Sequence, residues 1–283
     1  MANGRLLMVV ALPAEAKPLI AHWQLTRHSE VTPFSVFVSA DQKHWLIQCG
    51  IGKIAAATAV GFLAQLANAQ RSDAWLNIGI AGSGSFKLGA LVIAHKIIDE
   101  GAKKNWYPSQ LFQGPRLQLC PSTIVRTVDT PLEDYPPEGV VEMEAAGFCG
   151  AAMRFSSVEL VQAVKVVSDT PEDSLKGITK ARVHQWIGDQ LESIELVANE
   201  LLALSNEVAS LVFRPNHFDE ITRRVRFTVA QSHQLKKILG RWEILLPDST
   251  PVDLLAKEPS AKEVLVELKS RLDSTPVDFK SHD

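Results

Sequence analysis

Three acidic side chains stand where apolar runs give way to polar sequence. Glu15 follows LLMVVALP, Glu144 lies inside VVEMEAAG, and Asp169 ends VQAVKVVSD. A carboxylate just beyond a buried strand sits over the carboxyl edge of a sheet, where open α/β folds bind their ligands. Such groups meeting at one edge would suit acid/base chemistry on a small polar molecule. Two glycine-rich turns accompany them: Gly50-Ile51-Gly52-Lys53 opens a helix, and Gly79-Ile80-Ala81-Gly82-Ser83-Gly84-Ser85 leaves a strand. Turns of this kind bring backbone amides close to a ligand, or simply make a tight strand-to-helix connection. Neither has the GxxxxGK[ST] or GxGxxG spacing, so neither points to ATP or NAD.

The elements that must position these residues follow from hydrophobic periodicity. Apolar runs of strand length occur at Leu6 to Leu12, Trp45 to Gln48, Ala74 to Ile80, Ala90 to Ala94, Val140 to Val141 and Val161 to Val167. They are nearly continuous and β-branched, as strands covered on both faces should be. Between them, Lys53 to Ala69 and Met143 to Phe155 are alanine-rich helical stretches. The alternation predicts an α/β fold with a mixed or mainly parallel sheet. Thr179 is placed to cap one long helix carrying Val183, Ile187, Leu191, Ile194, Val197 and Leu201, which would close a first domain, residues 1–204.

Residues 205–283 have a different texture and predict a mainly helical C-terminal extension. Phe218, Ile221, Val225 and Val229 recur at helical spacing among arginines, and Arg214 to Trp242 holds seven Lys and Arg residues against Asp219 and Glu220. This reads as a basic amphipathic helix. Ser260-Ala261-Lys262-Glu263 is a capping box. The closing STPVDFKSHD reads as frayed.

Composition narrows the class of function. At 283 residues, 46% hydrophobic, the chain can bury a full α/β core. Its net charge of −3 gives no reason to expect nucleic acid or an anionic membrane as a partner, leaving a small molecule as the expected ligand. Cys49, Cys120 and Cys149 have neither disulfide-framework nor metal-ligand spacing, which fits reduced thiols in a cytoplasmic protein. The apolar run at Leu6 to Leu12 is short for a signal peptide and is followed at once by Glu15 and Lys17.

Taken in order, GIGK, NIGIAG, LGALVIA, VVEMEA and VVSD resemble the nucleoside phosphorylase superfamily, and within it the methylthioadenosine/S-adenosylhomocysteine nucleosidases and related purine-nucleoside hydrolases. The resemblance spans about Arg5 to Leu204. It implies a three-layer α/β sandwich with a central mixed sheet, and cleavage of the N-glycosidic bond of a purine nucleoside without metal or organic cofactor. Asp169 matches the general acid at N7 of the purine, with Ser168 beside it to orient it. Glu144, rather than Glu142, matches the carboxylate that holds the ribose hydroxyls, Met143 the side chain packed on the sugar, and Glu15 the acid that orients the attacking water. Leu12, Ile51 and Met143 match the 5′ pocket, so the resemblance implies a 5′-modified adenosine such as methylthioadenosine, S-adenosylhomocysteine or 5′-deoxyadenosine. Ile80, Ala81 and Gly82 form the turn beside the substrate, and backbone near Leu132 would read the base. Trp106 and Tyr107 match a loop that reaches a neighbouring subunit, which implies a homodimer.

The physics of this division stands without the analogy. Breaking C1′–N9 builds positive charge on the ribosyl ring and negative charge on the purine, so it requires an acid on one side and carboxylates on the other. The chain also departs from the pattern. Ile80 stands where the hydrolases carry a hydroxyl, and Pro131 stands where an aromatic stacks on adenine. A phosphate nucleophile would need arginine forks. Asn77 occupies one such position and Arg5 lies on the wrong side of the first strand, so water is the expected nucleophile. A phosphorylase, and a catalytically weak nucleoside-binding sensor that uses the basic helix to recruit a partner, are the alternatives.

Overall fold

The computed structural model describes residues 4–29, 33–110, 120–132, 134–173, 177–211, 215–255 and 259–275. The chain divides into two compact units, Met1–Leu211 and Val212–Asp283. In the first, strands β1 (Leu6–Val10), β2 (Thr26–Arg27), β3 (Ser35–Val38), β4 (His44–Gln48), β5 (Ala74–Gly82), β6 (Leu91–Asp99), β7 (Lys104–Trp106), β8 (Ser122–Thr127), β9 (Val140–Glu142) and β10 (Val161–Asp169) form one mixed sheet. Helices α1 (Pro13–His22), α2 (Lys53–Leu66), α3 (Ala145–Phe155), α4 (Lys180–Asp189) and α5 (Leu191–Leu211) flank it.

Side-chain alternation along β1 shows how the layers arise. All of β1 is buried, but Leu7 and Val9 pack with residues of α2 and α3, whereas Leu6, Met8 and Val10 pack with residues of α1, α4 and α5. Successive side chains of a strand point to opposite faces, so a strand covered twice must be apolar throughout. The sheet runs β10-β6-β8-β9-β5-β1-β4-β3-β2, and an additional β10–β5 pairing closes its first half into a ring. Because β4, β1, β5 and β10 are parallel, their carboxyl ends emerge at one edge.

Several expectations are corrected. β2, β3, β7 and β8 are additional strands, too short or too polar to register as apolar runs. Thr179 does cap a helix, accepting the Arg182 N–H at 3.3 Å. That helix breaks at Gln190, whose side-chain amide donates to the Gly89 carbonyl at 2.9 Å, and a second helix continues to Leu211, past the expected boundary at Leu204. Trp106 lies on a strand and packs against the first unit's own core rather than standing in a loop.

The second unit has its own core. Helices α6 (Phe218–Arg224), α7 (Val229–Leu245) and α8 (Ala261–Asp273), with a 3-10 turn at Pro251–Leu254, enclose Ile221, Val225, Leu235, Leu239, Trp242, Val252, Val264, Leu268 and Leu272. The basic stretch is thus two helices, not one. Thr228 starts the second by accepting the Gln231 N–H at 3.3 Å while Gln231 accepts the Thr228 N–H at 2.9 Å, and Val229 is left exposed. The capping box at Ser260 forms, with reciprocal bonds to Glu263 of 3.3 and 2.7 Å. The frayed end expected beyond Thr275 lies outside the described residues. No described helix is long and apolar enough to cross a membrane.

Gly147 of α3 has a packing cause, at its contact with the start of α2. A Cβ at Gly147 would run into the Lys53 carbonyl, whereas one at Gly61 in α2 would meet nothing within 4 Å. Gly147→Ala is expected to destabilise the protein by about 1–3 kcal/mol, because backbone cannot yield as a flexible side chain would. Gly61→Ala should instead stabilise it by roughly 0.5–1 kcal/mol through helix propensity. Urea unfolding of the two variants checks the contrast in sign.

Candidate active site

At the edge where β1, β4, β5 and β10 end, a cavity of about 210 Å³ opens. Every residue expected at the site lines it: Leu12, Glu15, Ile51, Ile80, Ala81, Gly82, Leu132, Met143, Glu144, Ser168 and Asp169. Glu142, Tyr135, Val128, Val141, Pro131, Ile178 and Ala11 complete the wall.

Glu15 lies in the first turn of α1, where free backbone amides and the helix dipole favour an anion. Its Oε2 accepts the N–H groups of Ala11 and Leu12 at 3.0 and 2.8 Å, and its Oε1 accepts that of Ile80 at 3.0 Å. These bonds fix the carboxylate between β1 and β5. Burial nevertheless raises its pKa, the amides and Lys165 offsetting only part of the desolvation.

Glu144 occupies the N-cap position of α3 but makes no capping bond with its side chain, whose Oε1 instead accepts the Gly52 N–H at 2.8 Å. The GIGK turn can present that amide because Gly50 and Gly52 adopt φ of 84° and 103°, values costly for any residue with a Cβ. The turn therefore anchors a carboxylate of the protein itself. Burial, and then the nearby charge of Glu142, push Glu144 up to about 7. Lys53 of the same turn faces elsewhere, bridging Asp99 and Asp129 at 2.9 and 3.0 Å.

Glu142, which the motif match set aside, lines the same cavity and holds the site together. Its Oε2 accepts the N–H groups of Glu144 and Ala145 at 2.9 and 2.8 Å and pairs with Lys165 Nζ at 2.8 Å. Its Oε1 accepts the Thr127 hydroxyl at 2.5 Å. Lys165 is fully buried in β10; burial opposes its charge, but Glu142, Glu144 and Glu15 reverse this and raise its pKa. Gly79 admits the group: a Cβ there would lie 3.2 Å from Glu15 Oε1 and 3.3 Å from Lys165 Nζ.

Asp169 and Ser168 both face the cavity although they are adjacent in a strand. The pairing of β10 with β5 slips between Val167 and Asp169, and this irregularity frees the strand end from strict alternation. The Ser168 hydroxyl donates to Asp169 Oδ1, and the Tyr135 hydroxyl donates to Oδ2. Asp169 pairs in register with Gly82, two residues beyond the Ile80 amide that holds Glu15, a span of roughly 7 Å along β5. Leu12, Ile51, Ile80, Leu132 and Met143 supply apolar wall between and around these acids.

The departures noted in the sequence acquire positions. Ser83 does not line the cavity; its buried hydroxyl donates to the Gly139 carbonyl at 3.0 Å and accepts the N–H groups of Ser85 and Phe86. Arg5 is bound to Asp73 at 2.6 Å near the opposite end of β1. Among the described lining residues there is neither arginine nor lysine. Sequence reasoning missed Lys165 and Tyr135. A lone lysine inside the apolar run VQAVKVV was a legible sign of a buried ion pair, but nothing in EDYPPEG marks Tyr135.

The same fold occurs in futalosine hydrolase of Helicobacter pylori strain 26695, at 14% identity and a TM-score of 0.57 over 70% of this chain and 98% of that one. The 5′-methylthioadenosine/S-adenosylhomocysteine nucleosidase of Helicobacter pylori aligns at 13% identity and a TM-score of 0.57, covering 70% of this chain and all of that one (100%). The nucleosidase of Colwellia psychrerythraea 34H, solved in complex with adenine, aligns at 17% identity and 0.54 over 72% and 96%. No protein-family model and no curated protein sequence matches this chain. The mixed sheet and its flanking helices are thus the fold of nucleoside N-glycosidic hydrolases.

The raised pKa of Glu144 has a consequence for stability. A carboxyl whose pKa rises from 4.5 to about 7 on folding holds its proton longer in the native state, so its contribution is present below pH 4.5 and is lost as pH rises through 7. Wild type should therefore lose stability relative to Glu144→Gln between about pH 5 and 7, by no more than about 3 kcal/mol. Urea midpoints of both proteins across this window check the sign.

Proposed function

We propose that this protein is a purine-nucleoside N-ribohydrolase that acts on a 5′-modified adenosine and releases the free base. The observation that carries the reading is one shared cavity, in a nucleosidase fold, where Asp169 at the end of β10, Glu15 in the first turn of α1 and Glu144 just beyond β9 all line the wall. In this reading Asp169, oriented by Ser168, gives the proton it carries to N7 as the C1′–N9 bond lengthens, and the water that attacks C1′ releases its own proton to Glu15. Glu144 holds the ribose hydroxyls, and Glu15, fixed by three backbone amides, aligns the attacking water. Positive charge on the ribosyl ring then develops beside carboxylates already ordered by the fold, so little reorganisation is needed at the transition state.

Met143 packs on the sugar, and Leu12 and Ile51 form an apolar 5′ pocket that favours a thioether or deoxy group over a phosphate. Ala81, Gly82 and backbone near Leu132 border the base. Water is favoured over phosphate because the described lining residues offer four carboxyl groups, Glu15, Glu142, Glu144 and Asp169, and among them there is no arginine or lysine. Lys165, buried beside Glu15 and Glu144, is already paired with Glu142. A dianionic nucleophile would meet repulsion where it needs a clamp.

The test is to incubate the protein with methylthioadenosine, S-adenosylhomocysteine, 5′-deoxyadenosine and unmodified purine nucleosides in phosphate-free buffer and assay free base. Release is expected without phosphate, and Asp169→Asn should lower kcat by about 10²–10⁴-fold. Undiminished release by that variant, or strict dependence on phosphate, would contradict the assignment.

A homodimer is part of the proposal. Ile51, which lines the cavity, and Ile54, in the first turn of α2, are 61% and 80% exposed, an apolar surface that a second copy would cover. Sedimentation velocity should show a dimer, and Ile54→Asp should shift it to monomer while leaving the circular dichroism unchanged. A monomeric wild type would remove this part.

A further inference from the structure

Tyr135 has no role in the scheme above, yet its hydroxyl is hydrogen-bonded to the proposed acid. It lies between β8 and β9, and it is the one aromatic residue among the described lining residues. Its hydroxyl donates to Asp169 Oδ2 while Ser168 donates to Oδ1, so both oxygens of the carboxyl group already have partners. The ring lies over Gly82, where a Cβ would strike both the ring and Asp169 Oδ2. A Cβ at Gly84 would lie 3.3 Å from Tyr135 Cβ and 3.1 Å from the Pro136 carbonyl. Two glycines of the NIGIAGSG turn thus form a seat for this residue.

We propose that Tyr135 is a placeholder for the nucleobase: its phenol fills the hydrogen-bonding position at Asp169 that a purine nitrogen must take, and substrate binds by displacing it. The inference rests on the nucleosidase reading and adds a binding step to it. A base that shares a proton with Asp169 must approach the oxygen Tyr135 now occupies, and ring and base cannot fill the same space above Gly82. Because the phenol donates to that oxygen and N7 only accepts, the exchange takes up one proton from solvent, which Asp169 then directs at N7. While seated, the phenol keeps the acid oriented in the empty cavity. Each ligand must break that bond, so measured affinity falls below intrinsic affinity by the fraction of molecules in which Tyr135 has left its seat. The arrangement also selects for ligands: a molecule that cannot offer Asp169 a hydrogen-bonding partner has nothing to exchange for the phenol.

The chain has only two tyrosines, which makes the displacement directly observable. Protein labelled with ¹³C at tyrosine Cζ should give two signals, assigned with Tyr135→Phe or, if that variant folds poorly, with Tyr107→Phe. Titration with adenine, hypoxanthine and guanine in turn should move the Tyr135 signal of the wild type in step with binding of whichever base is accepted. Calorimetry should show Tyr135→Phe binding that base about 5–50-fold more tightly, since no hydrogen bond to a carboxylate is then broken on entry. A base that binds wild type with the Tyr135 signal unmoved would overturn the proposal. So would a Tyr135→Phe variant that binds equally or more weakly, the result expected if the phenol contacts the ligand instead. Failure of wild type and variant alike to bind any purine base or nucleoside would overturn the nucleoside reading itself, and this inference with it.

Discussion

A single buried ammonium set among carboxyl groups is the constraint on which the rest of the site depends. Lys165 emerges from the middle of a strand that is buried along its whole length, and taking such a charge out of water costs several kcal/mol unless a partner and further hydrogen bonds offset it. Glu142 supplies the partner at 2.8 Å. Glu142 in turn receives the first amides of α3 and the Thr127 hydroxyl, so one ion pair ties β8, β9, β10 and α3 together directly beneath the cavity. Glu15 and Glu144 are then left sharing what remains of the positive potential. That is too little for both, which is why burial can raise their pKa values and leave Glu144 near neutrality. The same imbalance that makes this floor a poor anion site makes it a good environment for a ribosyl cation.

Backbone irregularity converts this electrostatic floor into a shaped site. A regular β10 would send Ser168 and Asp169 to opposite faces, and the slip in pairing between Val167 and Asp169 lets both turn to the cavity. Glycines act at the matching places on neighbouring strands. Gly79 admits Glu15 and Lys165, Gly82 admits Asp169 and the Tyr135 ring, and Gly52 offers its amide to Glu144. Each is a place where a Cβ or an ordinary φ would push apart groups that must meet, so the glycine turns are explained without any phosphate.

How much of this was legible in the sequence depended on whether the signal was local. The buried strands and the carboxyl groups beyond them follow from runs such as LLMVV and VQAVKVV, in which burial on both faces forces every position to be apolar. β2, β3 and β7 were missed because they are short and bury little, and β8, which lies between β6 and β9, because its apolar residues alternate with polar ones. One long helix was expected from Thr179 onward because the apolar spacing continues through Gln190. At the break Gln190 is bonded to Gly89, a partner distant in sequence and invisible to periodicity. The assembled cavity was readable only through the resemblance of separate motifs, since no spacing within the chain says that Glu15, Glu144 and Asp169 share a wall. Tyr135 left no trace because its seat is made by Gly82 and Gly84, contributed by a strand far away in the chain.

These features together divide the cavity by charge. Along β5, the Ile80 amide holds Glu15 at the end nearest Lys165 and Glu142, while Gly82, two residues on, faces Asp169 and a phenol. The first region is crowded with carboxyl groups and has its donors already committed. The second offers one carboxyl group flanked by two hydroxyls whose protons can rotate away. A ligand that is hydroxyl-rich at one end and carries a flat, nitrogen-bearing ring at the other satisfies both regions in one orientation. Reversed, it would set its ring nitrogens against the committed acceptors of Glu15 and Glu142 and leave Asp169 without a proton to share. On the proposed function, the orientation of a bound nucleoside therefore follows from where Lys165, the one buried lysine among the described residues, sits.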